Sequence, residues 1–163
     1  MPTLYIITGP AGVGKSTISK KIAESSQKSA LIEGDEIYHQ VIGGYTQAWK
    51  KGNHLPTFLK ICLSTIQIYL EDGFDVVFNY IIAPETFELI KARFSKYQIK
   101  FAVLITDEKT LLERDKQRPK DCQMKERCIL LLNHFKKLNF DPKTIINTTN
   151  LTPDEIVSLI KKD

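Results

Sequence analysis

The chain has 163 residues, 42% of them hydrophobic and 26% charged, with three cysteines and a formal net charge of +4. That length predicts one domain over residues 1–163, able to bury about 70% of its unfolded surface. No run approaches the ~20 apolar residues of a membrane span, and no basic leader precedes the first apolar run, so a cytoplasmic protein with no membrane partner is expected.

Residues 4–8, Leu4-Tyr5-Ile6-Ile7-Thr8, are apolar and β-branched and read as a buried strand. Gly9-Pro10-Ala11-Gly12-Val13-Gly14-Lys15-Ser16 follows with the spacing G-x-x-x-x-G-K-[ST]. Thr17 then leads a helix over 17–24 with Ile18 and Ile22 on one face. Glycines in such a turn bring several backbone N–H groups close to a polyphosphate, and the helix N-terminus behind them adds about half a positive charge. Lys15 is placed to reach the β- and γ-phosphates and the Ser16 hydroxyl to ligate Mg²⁺. This segment predicts binding of a nucleoside triphosphate.

A short second strand over 30–33 ends in Gly34-Asp35, and a helix over 36–42 is expected to stop at Gly43-Gly44. The polar stretch 45–54, with Trp49 in it, reads as a loop or loosely helical insertion where substrate specificity resides. A long helix over 55–70 carries Leu55, Phe58, Leu59, Cys62, Ile66 and Tyr69 on one stripe. Strand 75–80 is apolar in its middle, Pro84 opens a helix to about 97, and 100–105 is a fourth strand. Residues 108–118 are helical until Pro119, and a further helix from about Met124 turns Met124, Cys128, Leu131, Leu132, Phe135 and Leu138 inward. A fifth strand at 143–146 precedes a capping box in which Thr152 caps, Pro153 takes the first helical position and Glu155 reaches back. Strands alternating with helices predict a three-layer α/β/α domain with an all-parallel sheet.

Asp35 follows the strand expected beside the phosphate loop, outside the carboxyl end of the sheet where ligands bind. A carboxylate there can accept the proton of an acceptor hydroxyl or hold a water on Mg²⁺, and it can also cap the helix after it. Arg114 and Arg118 are four apart, and arginines brought in by a lid supply the positioning and charge that phosphoryl transfer needs. Where strand three is expected to end, Asn79 offers an amide but no charge for a metal-bound water. Few arginines lie between 36 and 98, which favours an acceptor with a free hydroxyl and little negative charge. Tyr38, His39 and Tyr80, with Tyr45 and Trp49, are candidates for its site. Basic residues outnumber acidic ones over 109–127, but no aromatic side chain interrupts them, so the surplus suits bound phosphate rather than nucleic acid. Cys62, Cys122 and Cys128 lack metal or redox spacing and are expected as buried thiols in a reducing compartment.

The phosphate loop, Gly34-Asp35 with His39 nearby, and the R-x-x-x-R stretch together resemble P-loop kinases of small molecules, such as gluconate kinase, shikimate kinase and chloramphenicol phosphotransferase. The resemblance implies a five-stranded parallel sheet in the order 2-3-1-4-5 and a mobile lid at about 114–126. It implies ATP and Mg²⁺ on Gly9 to Thr17, with Arg118 clamping transferred phosphate. Arg114 would pack on adenine or also touch phosphate, and residues 147–150 would lie against the adenine ring. The expected activity is transfer of the γ-phosphoryl of ATP to a small-molecule hydroxyl, with Lys15, Asp35 and Arg118 catalytic. A nucleotide or nucleic-acid 5′-hydroxyl kinase is the alternative, and Asn79 keeps open a regulatory protein that hydrolyses ATP slowly or not at all.

Overall fold

A computed structural model describes residues 1–162. The elements in chain order are β1 Thr3–Thr8, α1 Lys15–Glu24, β2 Ser29–Glu33, α2 Gly34–Tyr38, α3 Leu55–Glu71, β3 Asp75–Asn79 and α4 Pro84–Arg93. They continue with β4 Gln98–Ile105, α5 Glu108–Lys116, α6 Glu126–Lys137, β5 Ile145–Asn147 and α7 Pro153–Lys161. All four strand pairings are parallel and the sheet order is β2-β3-β1-β4-β5, as the resemblance implied.

Alternation along the strands separates two cores, one on each face of the sheet. Leu4 and Ile6 of β1 pack with Val76 and Phe78 of β3 against Phe58, Cys62 and Ile66 of α3 and Ile90 of α4. Tyr5 and Ile7 face the other way, with Val77, toward Ile18 and Ile22 of α1, Leu111 of α5, Leu132 of α6 and Ile156 of α7. Helices thus cover both faces, and every strand's carboxyl end opens toward one rim of the sheet.

Several boundaries differ from the sequence reading for local reasons. The second helix ends at Tyr38 rather than continuing to 42, and the ring Nδ1 of His39, just past its end, lies 2.7 Å from the Asp35 carbonyl. In α3 the buried stripe is Phe58, Cys62, Ile66 and Leu70; Tyr69 lies off it, 37% exposed. The fifth strand starts at Ile145, since Asp141 folds Pro142–Thr144 into a 3₁₀ turn by accepting from Lys143 N. Helix α5 stops at Lys116, two residues short, as a residue before proline is driven out of the helical region. Cys62 and Cys128 are buried, but Cys122 is exposed. The capping box at Thr152 and Glu155 forms as expected. Among the described residues, no helix is long and apolar enough to cross a membrane.

Candidate active site

The site grows from the end of β1. Gly9 passes so near β4 that a Cβ there would stand 2.4 Å from the Leu104 carbonyl oxygen, and its φ of +145° is one that only glycine adopts without strain. The chain then turns under Val13, which is buried, and enters α1 at Lys15. No side chain caps that helix and no acidic residue lies in its first turn. Its leading N–H groups, at Lys15, Ser16 and Thr17, therefore face the rim as free donors of the kind that holds an anion.

Lys15 lies across this turn, its Nζ donating to the carbonyls of Gly9 at 3.0 Å and Pro10 at 3.1 Å. Burial pushes its ammonium down to about 8; Asp35 and Glu33 oppose the shift, whereas Arg118 adds to it. Asp35 of α2, Glu33 of β2 and Arg118 after α5 thus lie near enough to Lys15 to act on its charge. Asp35 itself is exposed in the first turn of the short α2.

Beside Lys15, the last residues of two neighbouring strands meet. Register pairs Glu33 of β2 with Asn79 of β3. Asn79 Nδ2 donates to Glu33 Oε2 and, at 3.1 Å, to Ser16 Oγ, while Ser16 Oγ also donates to Glu33 Oε2 at 3.4 Å. Burial raises the Glu33 carboxyl above its ordinary value, against the lowering effect of those two hydrogen bonds. Neither donor is charged, so the carboxylate keeps its charge for a cation. Nucleotide-borne Mg²⁺ takes one or two protein oxygens, with phosphates and water completing the shell. The Ser16 hydroxyl and Glu33 carboxylate, locked together by Asn79, fit that requirement.

Glu33 was not among the candidates from sequence, which placed the carboxylate at Asp35. The signal was available: in a 2-3-1 order, the acid ending β2 must stand beside the residue ending β3.

Arg114, on α5, donates from Nη1 to the Val13 carbonyl at 3.1 Å and to Thr148 Oγ1 at 2.9 Å, and from Nη2 to the Thr148 carbonyl at 3.1 Å. It staples the phosphate loop to the turn after β5, where Thr148 is fully buried. Three of a guanidinium's five N–H donors are used this way, which leaves chiefly its face for a base. Arg118 is not on the same helix face, for α5 has already ended. It is held instead by Asp115, with Nη1 3.3 Å from Oδ1.

Asp115 is 2% exposed and also accepts from the backbone N–H groups of Met124 and Lys125. Burial alone would raise its carboxyl, but those N–H groups and Arg118 outweigh it and hold the acid below its ordinary value. Asp115 was not among the candidates from sequence. It is the anchor of the segment between α5 and α6, helped by Gln123 Nε2 donating to the carbonyls of Lys116 and Arg118.

A family model described as an AAA domain matches residues 4–128, more than half of the chain. The chain belongs to the AAA domain family. Among solved structures, this AAA domain is similar to the tunicamycin resistance protein of Deinococcus radiodurans, with 20% identity and a TM-score of 0.73. That match covers 98% of this chain and 94% of the other. A gluconokinase from Sinorhizobium meliloti 1021 is 21% identical with a TM-score of 0.67, covering 98% of this chain and 89% of that one. A chain of the Pnkp1/Rnl/Hen1 RNA repair complex is 18% identical with a TM-score of 0.62, over 86% of this chain and 46% of its own length. No curated protein matches. At such identities the likeness shows the fold alone, a five-stranded parallel sheet with helices on both faces.

In this AAA domain, aromatic residues crowd around α2 and residues 45–54. Tyr38 is 3% exposed, stacks on His54 at 4.0 Å between ring centroids, and donates its hydroxyl to the Thr46 carbonyl at 2.7 Å. Its position is in the packing rather than at a free surface. His39 is exposed, with Nδ1 engaged by the Asp35 carbonyl and its ring stacked on Tyr45. Tyr80 packs on Phe58 at 4.4 Å. Its ring also rests on Gly34, where a Cβ would stand 2.6 Å from Cδ2. The Arg127 guanidinium of α6 sits 3.6 Å from the Trp49 ring centroid, joining α6 to the 45–54 stretch.

Proposed function

We propose that this protein is an ATP-dependent phosphotransferase that moves the γ-phosphoryl of ATP to a hydroxyl of a small molecule. What supports this reading is the Gly9 to Ser16 loop at the carboxyl rim of the sheet, with Glu33 bonded to Ser16 and with Asp35 and Arg118 near enough to Lys15 to act on its charge.

In this reading Gly9, Pro10, Ala11, Gly12, Val13 and Gly14 wrap the phosphate tail with backbone N–H groups, joined by those of Lys15, Ser16 and Thr17. Lys15 leaves the Gly9 and Pro10 carbonyls for the β- and γ-phosphates. Ser16 and Glu33 hold Mg²⁺, with Asn79 fixing both. When bound, the ion neutralises charge on the β- and γ-phosphates and keeps their oxygens in place. Asp35 accepts the proton of the acceptor hydroxyl as that oxygen attacks phosphorus, the bond to the ADP oxygen breaks, and the proton ends on the Asp35 carboxylate. Arg118, steered by Asp115, offers positive charge where the equatorial oxygens gather negative charge. Arg114 presents its guanidinium face to the adenine, beside the 147–150 turn.

ADP release across a panel of alcohols tests the reading, with Asp35→Asn as control. The expected loss in kcat for that variant is about 10²–10⁴-fold with ADP affinity retained. Full turnover by Asp35→Asn removes it from the role of base. A second reading, a nucleic-acid 5′-hydroxyl kinase, draws on Trp49, which is 60% exposed under Arg127 and could stack a base. Competition by RNA or DNA ends with a steep salt dependence would favour it.

A further inference from the structure

Tyr80 forms part of the wall of a cavity of about 250 Å³. Its other walls are Leu55, Phe58 and Leu59 of α3, Ile82 after β3, Phe135 of α6 and Leu138 just after that helix. Its polar lining is limited to Tyr80, Thr86, His134 and backbone, with no lysine, arginine, aspartate or glutamate. Tyr80 is shared between this cavity and the reaction centre. It follows Asn79 directly, and its ring lies on Gly34, the residue between Glu33 and Asp35. Asp35 is close enough to contribute, after burial itself, to the upward shift of the Tyr80 hydroxyl. Tyr80 therefore links the cavity to Gly34, the residue before the carboxylate that the proposed function assigns as base.

We infer that this cavity is the acceptor's subsite, and that the acceptor is a small uncharged alcohol with an apolar body. The inference rests on the phosphotransferase reading and narrows it. A charged acceptor would be stripped of water against these walls with no partner for its charge, which is strongly unfavourable. A polyol or sugar acid would leave several hydroxyls facing leucine, isoleucine and phenylalanine. An apolar body buries its surface there instead, while a terminal hydroxyl remains at the Tyr80 rim next to Asp35. The volume falls just under the usual range for drug-sized ligands, about 300–1,000 Å³, and suits a compact molecule.

The experiment is a methyl-NMR titration of the ADP·Mg²⁺-loaded protein with 3-phenylpropan-1-ol, with glycerol and gluconate run in parallel. ADP-release assays use the same compounds. Methyl groups of Leu55, Leu59 and Ile82 are expected to shift with the aromatic alcohol only, and ADP release is expected to rise with it. Leu59→Trp and Ala83→Leu, which fill the cavity from two sides, should each lower that binding at least tenfold while ADP affinity stays at the wild-type value. Glycerol or gluconate driving ADP release, with both variants indifferent, would overturn the apolar subsite and leave the kinase reading standing. ADP failing to bind the wild-type protein would overturn the kinase reading itself. Shifts at those methyls without any ADP release mean an apolar pocket that does not feed the reaction, and they too overturn the inference.

Discussion

Burial holds the Lys15 ammonium at about 8, well below the usual 10.5, although Asp35 and Glu33 oppose the shift. A triphosphate brings several formal negative charges to the same atom and restores the charged form. Below about pH 8 the proton is already in place, so binding requires no uptake. Above it, binding must take up a proton, and ADP affinity is expected to fall by up to about tenfold per pH unit toward the ordinary lysine range. Calorimetric titrations in two buffers of different ionisation enthalpy read that uptake directly; its absence at about pH 9 would contradict the assignment. The same depressed value makes the unfolded chain bind more protons than the folded one between about 8 and 10.5, so the unliganded protein gains stability as pH rises through that window. Lys15 and Ser16 were legible in the sequence because the loop is a contiguous string of residue types. Glu33 was not, because its role depends on which residue of another strand it faces.

Strand ends and short connections carry the rest of the site. The pairing of Glu33 with Asn79 places the acid on β2 and the amide on β3. If the charge is what matters, its strand of origin is interchangeable. Glu33→Gln is expected to raise the Mg²⁺ concentration for half-maximal ADP binding by about 10–100-fold. Glu33→Gln combined with Asn79→Asp should recover most of it, and a double variant as weak as the single would refute the idea.

The helix carrying Arg114 was read from sequence as running to Arg118, with Pro119 ending it and a new helix from about Met124. Pro119 and the buried Asp115 make the segment between α5 and α6 a pinned turn, with Lys125 at a φ of +50° just before α6. Asp115→Ala removes the acceptor for the Met124 and Lys125 N–H groups and the partner of Arg118. A loss of about 1–3 kcal/mol is expected in urea unfolding, together with a larger fall in kcat than rise in the KM for ATP. An unchanged kcat would separate Arg118 from the chemistry. Because this acid sits below its ordinary value when folded, its contribution to stability is present above the unfolded carboxylate range and is lost as pH falls through the folded one.

At the scale of the molecule, strands alternating with helices were sufficient to read the α/β/α layers, and the strand order came from the family resemblance. Strands such as β1 divide Leu4 and Ile6 from Tyr5 and Ile7 between two separate cores, and that demands helices on both faces. The cavity beside Tyr80 was far less legible. Its walls come from three elements distant in sequence, α3, the segment after β3 and α6, and no local pattern in any of them announces a shared cavity. The sheet serves to bring strand ends together at one rim, and the account stands or falls on an anion being held there. Calorimetric titration of ADP and Mg²⁺ into the wild-type protein and into Lys15→Ala, both checked as folded by circular dichroism, tests this most directly. Saturable binding by the wild type and its loss in Lys15→Ala is the expected result; equal binding by both, or by neither, would contradict it.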